Sequence, residues 1–337
     1  MRKILCTMLV MVMAAMIFVP ASVSAAEDMP GLAEEIYIDD FSDDELDALQ
    51  WRISENGGSI SPIDGKLVME KTVSTGTPTV TSSLGLRTDP AVNPTFRGRM
   101  VVEFDMEREE EGVNTAIRVY GGSFQDFFAA VWRNNGTLGV FVREDVNDTG
   151  NWEYIWIGGS GSKRLTILME TETSRFSLWI DGKLYLHNVY SRFGTTSLRS
   201  MAWFIEGNNY QTFKIDNFRT YHAEAFEPEN KVVEREFKSG LDVVPNLETA
   251  GDYLSGEATI TVVDEDEFCP IYIMALYRKS DNKMMDVSLV DYRSAEKVGC
   301  RWSFVTGIDI PDDYYNYYVK SFLWNDMMPL DEGDYID

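Results

Sequence analysis

The strongest constraint in this chain is a period-two alternation of apolar and polar residues, carried by short runs along most of its length. Lys66–Glu70, Met100–Met106, Ala116–Tyr120, Leu138–Arg143, Leu165–Glu170, Phe176–Ile180 and Thr212–Arg219 all show it. That is the pattern of strands with one buried face and one wet face. Turn residues punctuate the runs: Asp64-Gly65, Gly121-Gly122, Asn134-Asn135-Gly136, Asp181-Gly182 and Gly207-Asn208-Asn209. Asn-Gly and Asp-Gly supply the positive φ angles that a tight hairpin needs. Many short strands at this spacing predict an all-β sandwich or jelly roll. One short helix is expected over Asp43–Leu49, with Ser42 as N-cap and acidic residues in its first turn.

The pattern breaks around Glu224–Asn230, at Pro228, and strands restart at Val232–Phe237. They recur at Glu257–Val263, Pro270–Tyr277, Met285–Asp291, Arg301–Val305 and Tyr317–Leu323. A smaller block of short strands suits an immunoglobulin-like sandwich. The expected organisation is a leader over 1–25, a larger domain over 26–225 and a smaller one over 226–337.

Residues 1–25 read as a secretory signal. Arg2 and Lys3 precede an apolar run from Ile4 to Val19, Pro20 breaks it, and Val23-Ser24-Ala25 forms a small-residue cleavage site. Cleavage at Ala26 predicts a protein secreted or held at the cell surface, without membrane insertion. Cys269 and Cys300 then form the remaining pair, either bridged in an oxidising compartment or left as two buried thiols.

Charge narrows the partners. The 337 residues carry 30 Lys and Arg against 55 Asp and Glu, a net charge of −25. Residues 26–225 hold 31 acidic and 18 basic side chains (net −13), and 226–337 hold 24 and 10 (net −14). Neither block offers the cations that nucleic acid or an anionic membrane requires. His187 and His222 are the only histidines, so a multi-histidine zinc site is excluded. His187, in Leu186-His187-Asn188, is expected at a solvent-facing strand end.

Three stretches resemble a known superfold. Ile38-Asp39-Asp40-Phe41 followed by Trp51 is similar to the opening of concanavalin A-like jelly rolls. Arg164-Leu165-Thr166-Ile167 through Phe176-Ser177-Leu178-Trp179-Ile180-Asp181-Gly182-Lys183 resembles the laminin G-type hairpin, and Phe213–Arg219 its closing strand. The resemblance implies a concanavalin A-like jelly-roll sandwich over roughly 36–222, a fold shared by lectins, binding modules and hydrolases. The C-terminal stretch Tyr318–Trp324 with Met328-Pro329-Leu330 is similar to small sandwich domains that close many surface proteins of anaerobic Gram-positive bacteria, which implies an accessory role.

Three groups of residues bear on function. In Glu103-Phe104-Asp105-Met106-Glu107, strand alternation turns the three carboxylates to one face and Val102, Phe104 and Met106 to the other. Such a row resembles the catalytic strand of laminarinase-like glycoside hydrolases. The resemblance gives Glu103 as nucleophile, Glu107 as acid/base and Asp105 as the group tuning both. Retention needs the carboxyls about 5–5.5 Å apart, whereas the two Cα atoms of an ideal strand lie about 13 Å apart. Met100-Val101-Val102 also stands where that family carries glycine. The competing reading is an acidic wet face.

In Trp152-Glu153-Tyr154-Ile155-Trp156, three aromatics project from one side of a strand at about 6.6–7 Å intervals. Flat rings stack on sugar C–H surfaces, so the row suits a glycan platform, with Trp132 adding a ring and Arg133, Asn134 and Asn135 polar groups nearby. The competing reading is core. Lastly, Asp39, Asp40, Asp216 and Asn217 converge if the first and last strands pair. Oxygen ligands of that kind suit calcium, which related binding modules hold between their terminal strands. The leading expectation is non-catalytic binding of extracellular polysaccharide or another glycan. A hydrolase using Glu103 and Glu107 comes second, and a structural or adhesive surface protein third.

Overall fold

The computed structural model describes residues 29–337 apart from 44, 86–94, 110–113, 208–209, 264–267, 326–327 and 331–332. The leader and Asn208-Asn209 lie outside the described residues. No helix among those described is long and apolar enough to cross a membrane. The chain is all-β and divides into two compact units, one running to Pro228 with Val298–Cys300 added, the other taking most of the chain from Glu229 onward.

The larger unit is a jelly-roll sandwich of two antiparallel sheets. Its seven-stranded sheet runs, in spatial order, β10 (Asn151–Trp156), β9 (Thr137–Val142), β8 (Asp126–Trp132), β7 (Asn114–Gly121), β14 (Leu198–Glu206), β5 (Thr79–Ser83) and β2 (Trp51–Ser54). The eight-stranded sheet runs β13 (Lys183–Tyr190), β12 (Arg175–Ile180), β11 (Gly161–Glu170), β6 (Arg99–Arg108), β15 (Gln211–Ala223), β4 (Lys66–Lys71) and β3 (Gly58–Ile63), with β1 (Leu32–Asp39) also on β15. Alternation assigns the faces as expected. Val102, Phe104 and Met106 from one sheet and Val119, Met201 and Trp203 from the other all reach the shared core. Trp203 sits at its centre, with ring centroids 5.4 Å from Phe104, 5.7 Å from Phe218 and 6.0 Å from Trp51.

Two strands of the seven-stranded sheet carry no clean alternation and are not legible as strands. β8 reads DFFAAVW and is buried nearly throughout, the signature of a strand covered on both faces. β14 reads LRSMAWFIE, with Met201, Ala202, Trp203 and Ile205 buried and Arg199, Ser200, Phe204 and Glu206 half-buried.

β15 pairs with β6 along one side, while its other side serves two strands in turn. Residues 211–215 meet β4, and Phe218 onward meets β1. The switch falls on a bulge between Asp216 and Arg219, where Asn217 takes φ +50°. Asn tolerates that left-handed conformation better than most residues. The extra residues reset the alternation, so Ile215 and Phe218 both face the core.

The expected helix at Asp43–Leu49 does not form; the described residues there are turn and coil. Aspartate chemistry explains it. The carboxylates of Asp39, Asp40, Asp43 and Asp47 each accept the backbone N–H two residues on, from Phe41, Ser42, Glu45 and Leu49. Such Asx turns compete directly with helical hydrogen bonding. Among the described residues the helical turns lie instead at Leu247–Ala250, capped by Asn246, and at Tyr314–Asn316.

The smaller unit packs two five-stranded sheets around its own core. One sheet orders Asp242–Val243, Lys231–Ser239, Tyr253–Thr261, Arg301–Asp309 and Glu296–Val298. The other orders Lys283–Asp291, Pro270–Arg278, Tyr317–Asn325 and Met328–Pro329, with Asp334–Ile336 also on Tyr317–Asn325. Trp302, Phe304, Tyr272, Met274 and Leu323 fill the space between them.

Candidate functional site

Glu103, Asp105 and Glu107 stand on the outward face of β6, in the middle of the eight-stranded sheet. Each has its own partners. Lys66 donates to Glu107 at 2.6 Å and Lys214 at 3.3 Å. Asn217 donates to Asp105 at 2.6 Å, with Arg164 3.9 Å away. Thr166 donates to the buried Glu103 at 3.1 Å, and Arg164 and Arg219 approach it to 3.7 and 4.0 Å. The lysine hydrogen bonds hold the Glu107 carboxyl below its ordinary value. An acid/base residue needs the opposite shift, a proton retained near neutral pH. The row is an ion-paired sheet face, and its chemistry does not fit the catalytic roles that the resemblance implied.

The terminal strands do pair, with Asp39 opposite Phe218. Asp39 is nevertheless spent on structure. Its Oδ2 accepts from the Tyr37 hydroxyl and the Trp51 indole, each at 2.7 Å, and its Oδ1 accepts the Phe41 N–H at 2.9 Å. Asp40 accepts from Ser42, and Asn217 turns its amide to Asp105. Burial, with Asp105 and Asp40 nearby, pushes the Asp216 carboxyl up. No group of three or more acidic, His or Cys ligands able to hold a metal occurs among the described residues. Asp39 thus spends both carboxylate oxygens on hydrogen-bond donors.

β10 is an edge strand of the seven-stranded sheet. Ile155 enters the core, and Trp152, Tyr154 and Trp156 project the other way. The three rings differ in how far they are open. Trp156 is 67% exposed, and its outer ring atoms lie 2.8 Å from where a Cβ on Gly136 would stand. Tyr154 is 46% exposed, but the Arg133 guanidinium lies 4.2 Å over its ring and donates to its hydroxyl at 2.8 Å. Trp152 meets Phe141 edge-on at 5.5 Å. Gly139, opposite Tyr154 on β9, leaves space for both neighbouring rings; a Cβ there would come within 3.1 Å of Tyr154 and 3.4 Å of Trp152. A glycine in the middle of a strand run is a signal of such close approach. Phe141, Gly136 and Gly139 are parts of the site that alternation alone did not single out.

Three other expectations are corrected. Trp132 is 0% exposed, donates its indole N–H to the Gly158 carbonyl at 2.8 Å and lies under the Arg108 guanidinium at 4.3 Å. It is core and offers no ring to a ligand, because β8 turns it inward beside Leu138. Cys269 and Cys300 are not bridged; Cys269 is exposed, and the buried Cys300 thiol points to the Leu184 carbonyl at 3.6 Å. His187 is half-buried, with Nδ1 3.3 Å from the Ser177 hydroxyl and its ring 6.3 Å from Phe226. Burial pushes its imidazole down, so it stays neutral at pH 7.

The outward face continues from β10 across the sheet. Trp152 pairs with Phe141. Two strands on, Arg118 pairs with Ala129 on one side and Ala202 on the other. Ala202 pairs with Thr81, and Thr81 with Arg52. Asp126 bridges Arg192 at 2.8 Å and Arg118 at 3.8 Å. Arg192 also lies 5.1 Å over Phe141.

No family model and no curated protein matches the chain. Solved structures do resemble it at low identity. A sialidase shares 11% identity at a TM-score of 0.45, over 61% of this chain but 19% of its own. The catalytic domain of an endo-1,3-beta-glucanase (laminarinase) from Thermotoga petrophila shares 12% at 0.42, over 58% of this chain and 100% of its own. A mutant of the Emp46p carbohydrate recognition domain shares 10% at 0.40, over 61% and 98%.

Proposed function

We propose that the outward face of the seven-stranded sheet binds an extracellular glycan without cleaving it, with Trp156 as the principal stacking surface. On this reading residues 1–25 direct the protein out of the cell, and the smaller unit is an immunoglobulin-like accessory domain. The observation that carries it is a tryptophan 67% exposed on an ordered strand, beside a second aromatic at 46%. Exposing so much apolar ring costs solvation free energy that a sugar's C–H face would recover. Isothermal titration with neutral oligosaccharides tests it. Trp156→Ala should weaken binding by about 1–3 kcal/mol and leave the melting temperature nearly unchanged. Undiminished binding by this variant would defeat the reading.

A further inference from the structure

On the same outward face, at the far side from β10, Gln50, Arg52, Ser83, Tyr120, Phe124 and Arg199, with two more hydroxyl side chains, line an open cavity of about 240 Å³. That is below the roughly 300–1,000 Å³ of sites for drug-sized molecules, a size suited to a single ring rather than an oligomer.

The lining is unusual for this chain. The protein carries 55 acidic side chains, yet among the described residues the lining holds no carboxylate and two arginines. Arg52 is exposed and has no ion pair among the described residues. Arg199 lies 3.9 Å over the ring of Phe124, a 64% exposed aromatic held at φ +61°. A left-handed φ on an aromatic residue is rare and costs backbone energy, and such strain concentrates at ligand sites.

Two buried oxygens add a second, independent observation. Gln50 is 1% exposed, and its amide nitrogen donates to the Ser83 carbonyl and, at 3.4 Å, to the Ser82 hydroxyl. Its Oε1 then has no hydrogen-bond partner, and neither does the hydroxyl of Ser83, which is 8% exposed. A buried polar atom without a partner is costly and calls for explanation. Hydroxyl groups of a ligand entering from the cavity can supply the missing donors.

We propose that this cavity is a subsite for one acidic sugar ring, carboxylated or sulfated, of a polysaccharide that runs across the sheet to Trp156. The ring's anion meets Arg52, its apolar face meets Phe124, and its hydroxyls reach Gln50 and Ser83. Register joins Arg52 through Thr81 and Ala202 to Arg118, whose guanidinium faces the Asp126 carboxylate at 3.8 Å. From β7 to β10 is three strand spacings, about 14 Å. The proposal rests on the glycan reading above and adds the charge class of the glycan.

The test compares three probes of equal length on the full soluble protein at 0.15 M salt: an oligogalacturonate, a chondroitin sulfate fragment and a neutral cello-oligosaccharide. Screening beyond about 8 Å at that salt suppresses repulsion from the protein's net charge but not the contact with arginine. At least one acidic probe should bind ten-fold or more tighter than the neutral one, and which one identifies the anion. Arg52→Glu, on an exposed strand, should remove that preference and leave neutral binding and melting temperature unchanged; Phe124→Ala should weaken the acidic probe alone. Equal binding of acidic and neutral probes, or an acidic affinity untouched by Arg52→Glu, overturns the subsite. Trp156→Ala separates the two readings. If it leaves every affinity unchanged while Arg52→Glu abolishes acidic binding, the Trp156 platform is wrong and the acidic subsite stands. Absence of binding to all three probes overturns both.

Discussion

Glu103, Asp105 and Glu107 leave the eight-stranded sheet outward and meet Arg164, Arg219, Lys66 and Lys214. From the seven-stranded sheet the outward side chains include Trp152, Tyr154, Trp156, Arg118 and Arg52. The same alternation built both faces, on the same core. On the first, opposite charges from four adjacent strands satisfy one another and leave little for a ligand to do. On the second, rings stay open and arginines gather around Asp126, a carboxylate shared by two of them. In a chain of net charge −25, the second surface is set apart by its open rings and by Arg52, an exposed cation with no ion pair among the described residues.

The largest expected effect separates two tryptophans. Trp132→Ala removes a fully buried ring and should cost about 3–5 kcal/mol of stability. Trp156→Ala should cost under about 1 kcal/mol, since exposed substitutions are usually mild. Thermal denaturation of the two variants checks this directly; similar losses would dissolve the distinction between core and platform.

Asp39→Ala should come next, at about 2–3 kcal/mol, because it strands the Trp51 indole and the Tyr37 hydroxyl without their acceptor. The loss should be the same with and without a chelator. A wild-type melt that drops on chelation, and no longer does so in Asp39→Ala, would restore a metal to the terminal strands.

A smaller effect sharpens the ion-paired face. Glu107 has its folded-state pKa lowered from the ordinary 4.5 by Lys66 and Lys214. Its contribution is then fully present above pH 4.5 and lost as pH falls through the depressed folded value. Glu107→Gln should cost about 1 kcal/mol at pH 7, and the gap from wild type should shrink in acid. Denaturant titrations at pH 7 and in acid measure it; a gap that widens in acid would show that the lysines do not stabilise the charged form.

The smallest effect concerns the rings. Gly139→Ala puts a methyl within 3.1 Å of Tyr154, at the tip of a side chain able to shift. Stability should change by about 0.5 kcal/mol or less, while glycan affinity falls a few-fold as the rings move. Unaltered affinity would remove Gly139 from the site.

Where apolar and polar residues alternate cleanly, the sequence by itself determined the strand and which of its faces is wet, because a period of two leaves a side chain no third option. Glu103, Asp105 and Glu107 did share a face, and so did Trp152, Tyr154 and Trp156. It also allowed Trp132 to look like a ligand ring, since β8 is apolar on both faces and shows no alternation to read. It allowed Asp39 to look like a metal ligand, since nothing local reveals that Trp51 and Tyr37 will donate to it. What only the tertiary structure decided was company. Cross-strand register brought lysines to Glu107, and the bulge in β15 turned Asn217 to Asp105. Sheet order placed Gln50, Arg52, Ser83, Tyr120, Phe124 and Arg199 around one cavity from positions up to 149 residues apart in the chain. Local patterns fix direction, but partners come from strands whose adjacency is set by packing a shared core.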